Sequence, residues 1–167
     1  MARPTKELID ALHETIARVA DGANYQWGNM GACNCGHLVQ SLTKLDRATI
    51  HAAALQRAGD WGQQAIDYCP TSGYPLDHII STVLDAGMTL ADIEHLERLN
   101  GPEVLARLPG DRRWLERNSR QDLLLYLQTW VALLEERLEA LPVPLPLEKR
   151  SRAEANVAED SLLEKAV

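Results

Sequence analysis

SRQDLLLYLQTWVALLEERLEAL, residues Ser119–Leu141, is the longest uninterrupted helical pattern in the chain. Leu123, Leu127, Trp130, Leu134, Leu138 and Leu141 recur at the helical period on one face, and Leu124 and Val131 broaden it. Ser119 followed by Asp122 supplies the start signal, and Glu135, Glu136 and Glu139 mark a wet side. No glycine or proline interrupts the run. A stripe this wide belongs to a core helix packed on several neighbours rather than to a coiled-coil seam, which makes this segment the expected centre of a helical domain.

The chain before this segment repeats the same grammar. Leu8, Ile9, Leu12, Ile16 and Val19 predict a helix over Thr5–Ala20, with Pro4 in the first turn and Gly22 as the stop. A second helix is expected from Gly36 or His37, with Leu38, Leu42 and Leu45 inward. A break follows near Lys44–Asp46, where Asp46 is an N-cap and Leu45 with Ile50 forms a hydrophobic staple for a helix to about Ala58. Gln63–Tyr68 is expected to form a short turn, and Asp77 to cap a helix to Ala86. Thr89 with Asp92 opens another, ending near Asn100-Gly101, and Pro102 starts a short one closed by Pro109-Gly110. The reading is a single all-α domain over residues 1–141, a bundle of six or seven helices with two long irregular loops. Beyond it lie a proline-rich run, Pro142–Leu147, expected to be extended, and a charged, alanine-rich tail to Val167, expected to be mobile or to dock on a protein partner.

The composition narrows the function classes. The 167 residues are 46% hydrophobic with no phenylalanine, so Leu, Ile, Val and Ala must fill the core. A net charge of −7 argues against nucleic-acid binding. Arg112, Arg113, Arg117 and Arg120 form a local basic cluster. Asp111, Glu116 and Asp122 interleave with it, so it reads as a solvated helix face, with a phosphate or acidic-partner site as the less favoured alternative. No apolar run approaches the ~20 residues of a membrane span, and Met1–Leu8 has no apolar signal core, so a cytoplasmic protein without membrane partners is expected. A phosphate-binding Gly-Lys-Ser/Thr loop, a dinucleotide fingerprint and a serine-nucleophile elbow are all missing from the sequence.

Chemistry concentrates in the first irregular loop. Asn24–His37, NYQWGNMGACNCGH, holds two of the three cysteines and one of the five histidines. Thiolates two positions apart in an extended segment point to one side, and a helix start just after them favours negative charge. Cys33, Cys35 and His37 supply three soft donors, and Cys69, in the second irregular loop, is the natural fourth; His51 and His78 are weaker substitutes. This set predicts a zinc or iron site, an iron–sulfur cluster included, of structural or catalytic role. The pattern lacks the paired Cys-x-x-Cys of a zinc ribbon.

Three other readings compete with it. Cys33 and Cys35 are packing residues beneath the loop, with His37 packed at a helix start. Or Cys35 is a redox-active thiolate resolved by Cys33 or Cys69, with His37 as base. Or the chain is a non-catalytic interaction protein without metal, meeting its partner through the residues after Leu141. Tyr25, Trp27, Trp61, Tyr68 and Tyr74 fall in the same two loops as the cysteines, either pinning them to the core or lining a pocket or partner surface.

Overall fold

Five helices begin on a side chain that accepts a main-chain N–H of its own first turn: Thr5, Asp46, Asp60, Thr89 and Ser119. These caps satisfy donors that the helix itself leaves orphaned, which is why the starts other than the one at Asp60 are legible in the sequence. The computed structural model describes residues 1–110 and 112–142. Among these the chain forms eight α-helices and no strand: α1 (Lys6–Ala20), α2 (Asn34–Thr43), α3 (Arg47–Ala54), α4 (Trp61–Ile66), α5 (Pro75–Asp85), α6 (Leu90–Arg98), α7 (Pro102–Ala106) and α8 (Arg120–Glu139). The all-α class is as the sequence predicts. The count exceeds six or seven because the expected turn at Gln63–Tyr68 is a capped helix of its own, α4, with Asp60 and Gln63 closing a reciprocal capping box. The proline-rich run beyond Pro142 and the tail to Val167 lie outside the described residues.

Three boundaries differ from expectation. α2 starts at Asn34, with Cys33 in the cap position and no side-chain cap bond. α3 ends at Ala54 rather than near Ala58. α5 starts at Pro75, and Asp77 lies inside its first turn, where its carboxylate meets Arg57 at 2.9 Å and Ser72 at 2.5 Å. Asp77 therefore serves an ion pair across the second loop rather than a helix cap.

The middle of the molecule is α2. It lies against α1, α3, α5 and α6, whereas α8 lies against α1 and α7. The reason is side-chain size. Gly36 and Ser41 on α2 are buried together with Cys35, Leu38 and Val39, so neighbours approach it from several sides. Two glycines are required by contact here. A Cβ on Gly36 would fall on the Met30 carbonyl, and one on Gly31 would fall on the Arg47 carbonyl. α8 buries Leu123, Leu127, Trp130 and Leu134, while Leu138 and Leu141, expected on its inner face, are 37% and 52% exposed. None of the helices among the described residues is long and apolar enough to cross a membrane.

Candidate functional site

The first loop closes on itself before α2 begins. Gln26 N–H donates to the Ala32 carbonyl at 3.0 Å, and both Ala32 and Cys33 N–H donate to the Asn29 carbonyl at 2.8 Å. Gln40 reaches back from α2 to the Gly31 carbonyl at 2.7 Å. This compact turn presents Cys33 and Cys35 inward, each 3% exposed. The Cys33 thiol faces the Met30 carbonyl at 3.6 Å, and the Cys35 thiol donates to the Ile93 carbonyl on α6 at 3.3 Å.

Burial sets the chemistry of both sulfurs. It pushes the Cys33 thiol up to about 11, against the opposing pull of the Gly36 N–H at the helix start. It pushes Cys35 well above the ordinary thiol range, with Cys33 and Glu97 adding to the effect. His37 is 2% exposed, stacks on the Tyr25 ring with centroids 6.3 Å apart, and has no hydrogen-bond partner of good geometry on either ring nitrogen. Burial, with a smaller contribution from the nearby Arg18 guanidinium, lowers its pKa to about 4.

Cys69 sits apart on the loop between α4 and α5, exposed, with its sulfur 3.5 Å from the Thr71 hydroxyl. Hydrogen bonding from Thr71 lowers its thiol pKa. His78 is exposed on α5 and His51 is half-buried on α3. Among the described residues no three His, Cys, Asp or Glu side chains are grouped so as to hold a metal ion. The structure thus brings Cys33 and Cys35 to one buried place and leaves Cys69 on the surface.

Asn34, between the two cysteines, does what the pattern of cysteines concealed. It is fully buried, and its side-chain amide donates to the Glu97 carbonyl at 2.8 Å and the Arg117 carbonyl at 3.2 Å. Its oxygen accepts from Tyr25 Oη at 2.7 Å, and that hydroxyl also lies 2.6 Å from the Arg117 carbonyl. The first loop is thereby tied to the end of α6 and to the segment before α8. Glu97 completes the tie, its buried carboxylate accepting from the Trp61 and Gly62 N–H groups at 3.2 and 2.8 Å at the start of α4.

That segment before α8 corrects the reading of the basic cluster. Residues 112–118 are irregular, so only Arg120 lies on a helix, and there it donates to the Val19 carbonyl in the last turn of α1 at 2.8 Å and to the Ala23 carbonyl just beyond it at 2.7 Å. Leu115 anchors the segment in the core at 4% exposure. Asp122 holds it in place, accepting from the Glu116 N–H at 2.7 Å and pairing with Arg112 at 2.6 Å.

Trp114 stands outside this anchor with 67% of its surface in solvent. It borders a groove of about 400 Å³ between the end of α6, α7 and the segment. Leu99, Leu105 and Leu115 give the groove its apolar lining, and Arg98 and Arg117 give it charge. Leu99 closes α6 with φ of +52°, a left-handed conformation that a leucine adopts only when packing compels it; the residue is 1% exposed. The Arg117 guanidinium lies 4.2 Å from the centroid of the Trp27 ring, so the first loop reaches this groove as well. Sequence reasoning missed the groove because Trp114 and Arg117 sit in a short stretch without periodicity. The signal available was a large aromatic side chain amid arginines.

No family model matches the chain, and comparison with curated proteins and with solved structures finds no match.

Proposed function

We propose that this chain is a non-catalytic interaction protein whose partner surface is the groove beside Trp114. The observation that carries the reading is the division of labour between buried and exposed groups. The sulfur atoms of the first loop face main-chain carbonyls in the core, in surroundings that favour the thiol over the thiolate that ligation and nucleophilic attack both require. An indole at 67% exposure, beside a groove with an apolar lining and charged rim, is instead the kind of group that anchors protein contacts. Tryptophan and arginine dominate such contacts because each covers a large area with few rotatable bonds or with a fixed fork of donors.

The test is affinity purification of tagged chain from its native cells, run in parallel with Trp114→Ala. A protein recovered at near-equal amount with the wild type and lost with the variant is the expected outcome. Recovery unchanged by Trp114→Ala overturns the reading.

A further inference from the structure

We infer that the groove takes an acidic peptide segment of a partner protein, an extended stretch in which a leucine-sized side chain is flanked by aspartate or glutamate. This rests on the groove being the partner surface, and it names the chemistry of the partner.

The apolar surface comes from the lining. Half-buried Leu105 faces the open space above a floor of buried Leu99 and Leu115, and Trp114 stands at its edge with a flat ring free to cover an aliphatic side chain. The charge depends on the state of the arginines. Arg98, Arg107 and Arg112 each hold a carboxylate, from Glu94, Glu136 and Asp122 respectively. Arg117 differs. It is exposed, and among the described residues its guanidinium is within salt-bridge distance of no carboxylate. The Trp27 ring holds it in place instead. An aromatic platform fixes the orientation of a guanidinium without consuming its N–H donors, so the fork remains available for an incoming carboxylate. Among the described residues Arg113, nearby, donates to the Gly110 and Arg112 carbonyls and to no carboxylate.

The remaining lining selects between polyanions. Glu116 borders the same groove, and the chain as a whole carries a net charge of −7. A nucleic acid brings a phosphate at every step and would meet Glu116 with one of them. A peptide places its carboxylates on either side of an apolar residue and can leave Glu116 facing solvent. The groove is short and partly apolar, which matches one anchor and its neighbours rather than a continuous backbone of charge.

Fluorescence anisotropy on the full chain tests this with three probes: a labelled peptide Gly-Asp-Glu-Leu-Leu-Asp-Glu-Gly, its Asn/Gln counterpart, and a labelled thymidine oligonucleotide. The acidic peptide is expected to bind at least about tenfold more tightly than the neutral one, and to weaken as salt rises from about 0.05 to 0.3 M. Arg117→Ala and Trp114→Ala should each weaken it by about tenfold, with Arg117→Lys recovering part of the loss. Both side chains are exposed, and an unchanged Tm confirms that the variants fold. Equal binding of acidic and neutral peptides overturns the inference, as does indifference to Arg117→Ala or tighter binding of the oligonucleotide. Neutral-peptide binding that still depends on Trp114 overturns only the acidic partner and leaves the interaction reading standing. No binding of any probe up to about 1 mM overturns the inference; if partner recovery is also unchanged by Trp114→Ala, both fail.

Discussion

The Asn34 side-chain amide donates to the Glu97 main-chain carbonyl at 2.8 Å, joining the start of α2 to the end of α6 across 63 positions of sequence. The same amide reaches Arg117, and its oxygen receives Tyr25. One fully buried side chain therefore holds three separate stretches in register. Asn34→Ala leaves two carbonyls and a hydroxyl without this partner in a buried place. The expected cost is about 2–4 kcal/mol of folding stability, from lost bonds plus desolvated orphans. Urea denaturation of both proteins reads it directly, and a loss under about 1 kcal/mol would mean that neighbouring groups or water replace the amide.

His37 predicts how stability responds to acid. In the unfolded chain it takes up a proton near its ordinary value of 6.5, whereas in the folded protein burial holds it neutral down to about 4. Between those values the unfolded state binds more protons, so folding stability is fully present above about 6.5 and falls as pH drops towards 4. The drop is on the order of 3 kcal/mol, at 1.36 kcal/mol for each unit of separation. His37→Leu should flatten that portion of the stability–pH curve. The ring proton signals of His37 should titrate near 4 in the native protein; titration near 6.5 in the folded state would remove the effect altogether.

How far the sequence carried these conclusions differs by element. Thr5, Asp46, Thr89 and Ser119 cap their helices within a single turn, and such local bonds leave a local trace. Cys33 is no capping residue, so the true start of α2 at Asn34 left none. The Arg112–Ser119 stretch read as helix face because its charges alternate, yet it is irregular. Its Arg117 carbonyl is held by Asn34 and Tyr25 from more than 80 positions away, in addition to the local hold of Asp122. The Cys33 and Cys35 spacing predicts two thiolates on one side of an extended segment, with His37 as a third donor at the following helix start. From Asn34 onward the backbone is helical, which turns Cys35 towards α6 and His37 towards Tyr25.

Gly36 offers a sharper test of the packing around α2. A Cβ there would meet the Met30 carbonyl and the Gly31 backbone, neither of which can swing aside as a side-chain tip would. The intrinsic helix preference of alanine over glycine favours Gly36→Ala by about 1 kcal/mol, so on propensity alone the variant would be more stable. The contact outweighs it, and a net loss of roughly 2 kcal/mol or more is expected. Gly28→Ala is the control, since nothing lies within 4 Å of its Cβ position. Thermal melts of the two variants separate the cases: a stabilised Gly36→Ala would show that the first loop yields.

The reactivity of the three thiols separates packing from ligation and redox chemistry. Near neutral pH, a thiol raised to about 11 is almost wholly protonated, and Cys35 is likewise raised, with its hydrogen directed at the Ile93 carbonyl. A thiol-specific reagent attacks the thiolate and needs access to the sulfur. Native protein should therefore show one fast-reacting thiol, from exposed Cys69, and release the other two only in denaturant. Cys69→Ser should abolish the fast phase. Protein purified without added metal should carry less than about a tenth of an equivalent of zinc or iron, and chelation should leave its Tm unchanged. Stoichiometric metal lost together with stability on chelation would instead restore Cys33, Cys35, His37 and Cys69 as a ligand set. Cys33 or Cys35 reacting quickly with peroxide in the native state would do the same for the redox reading.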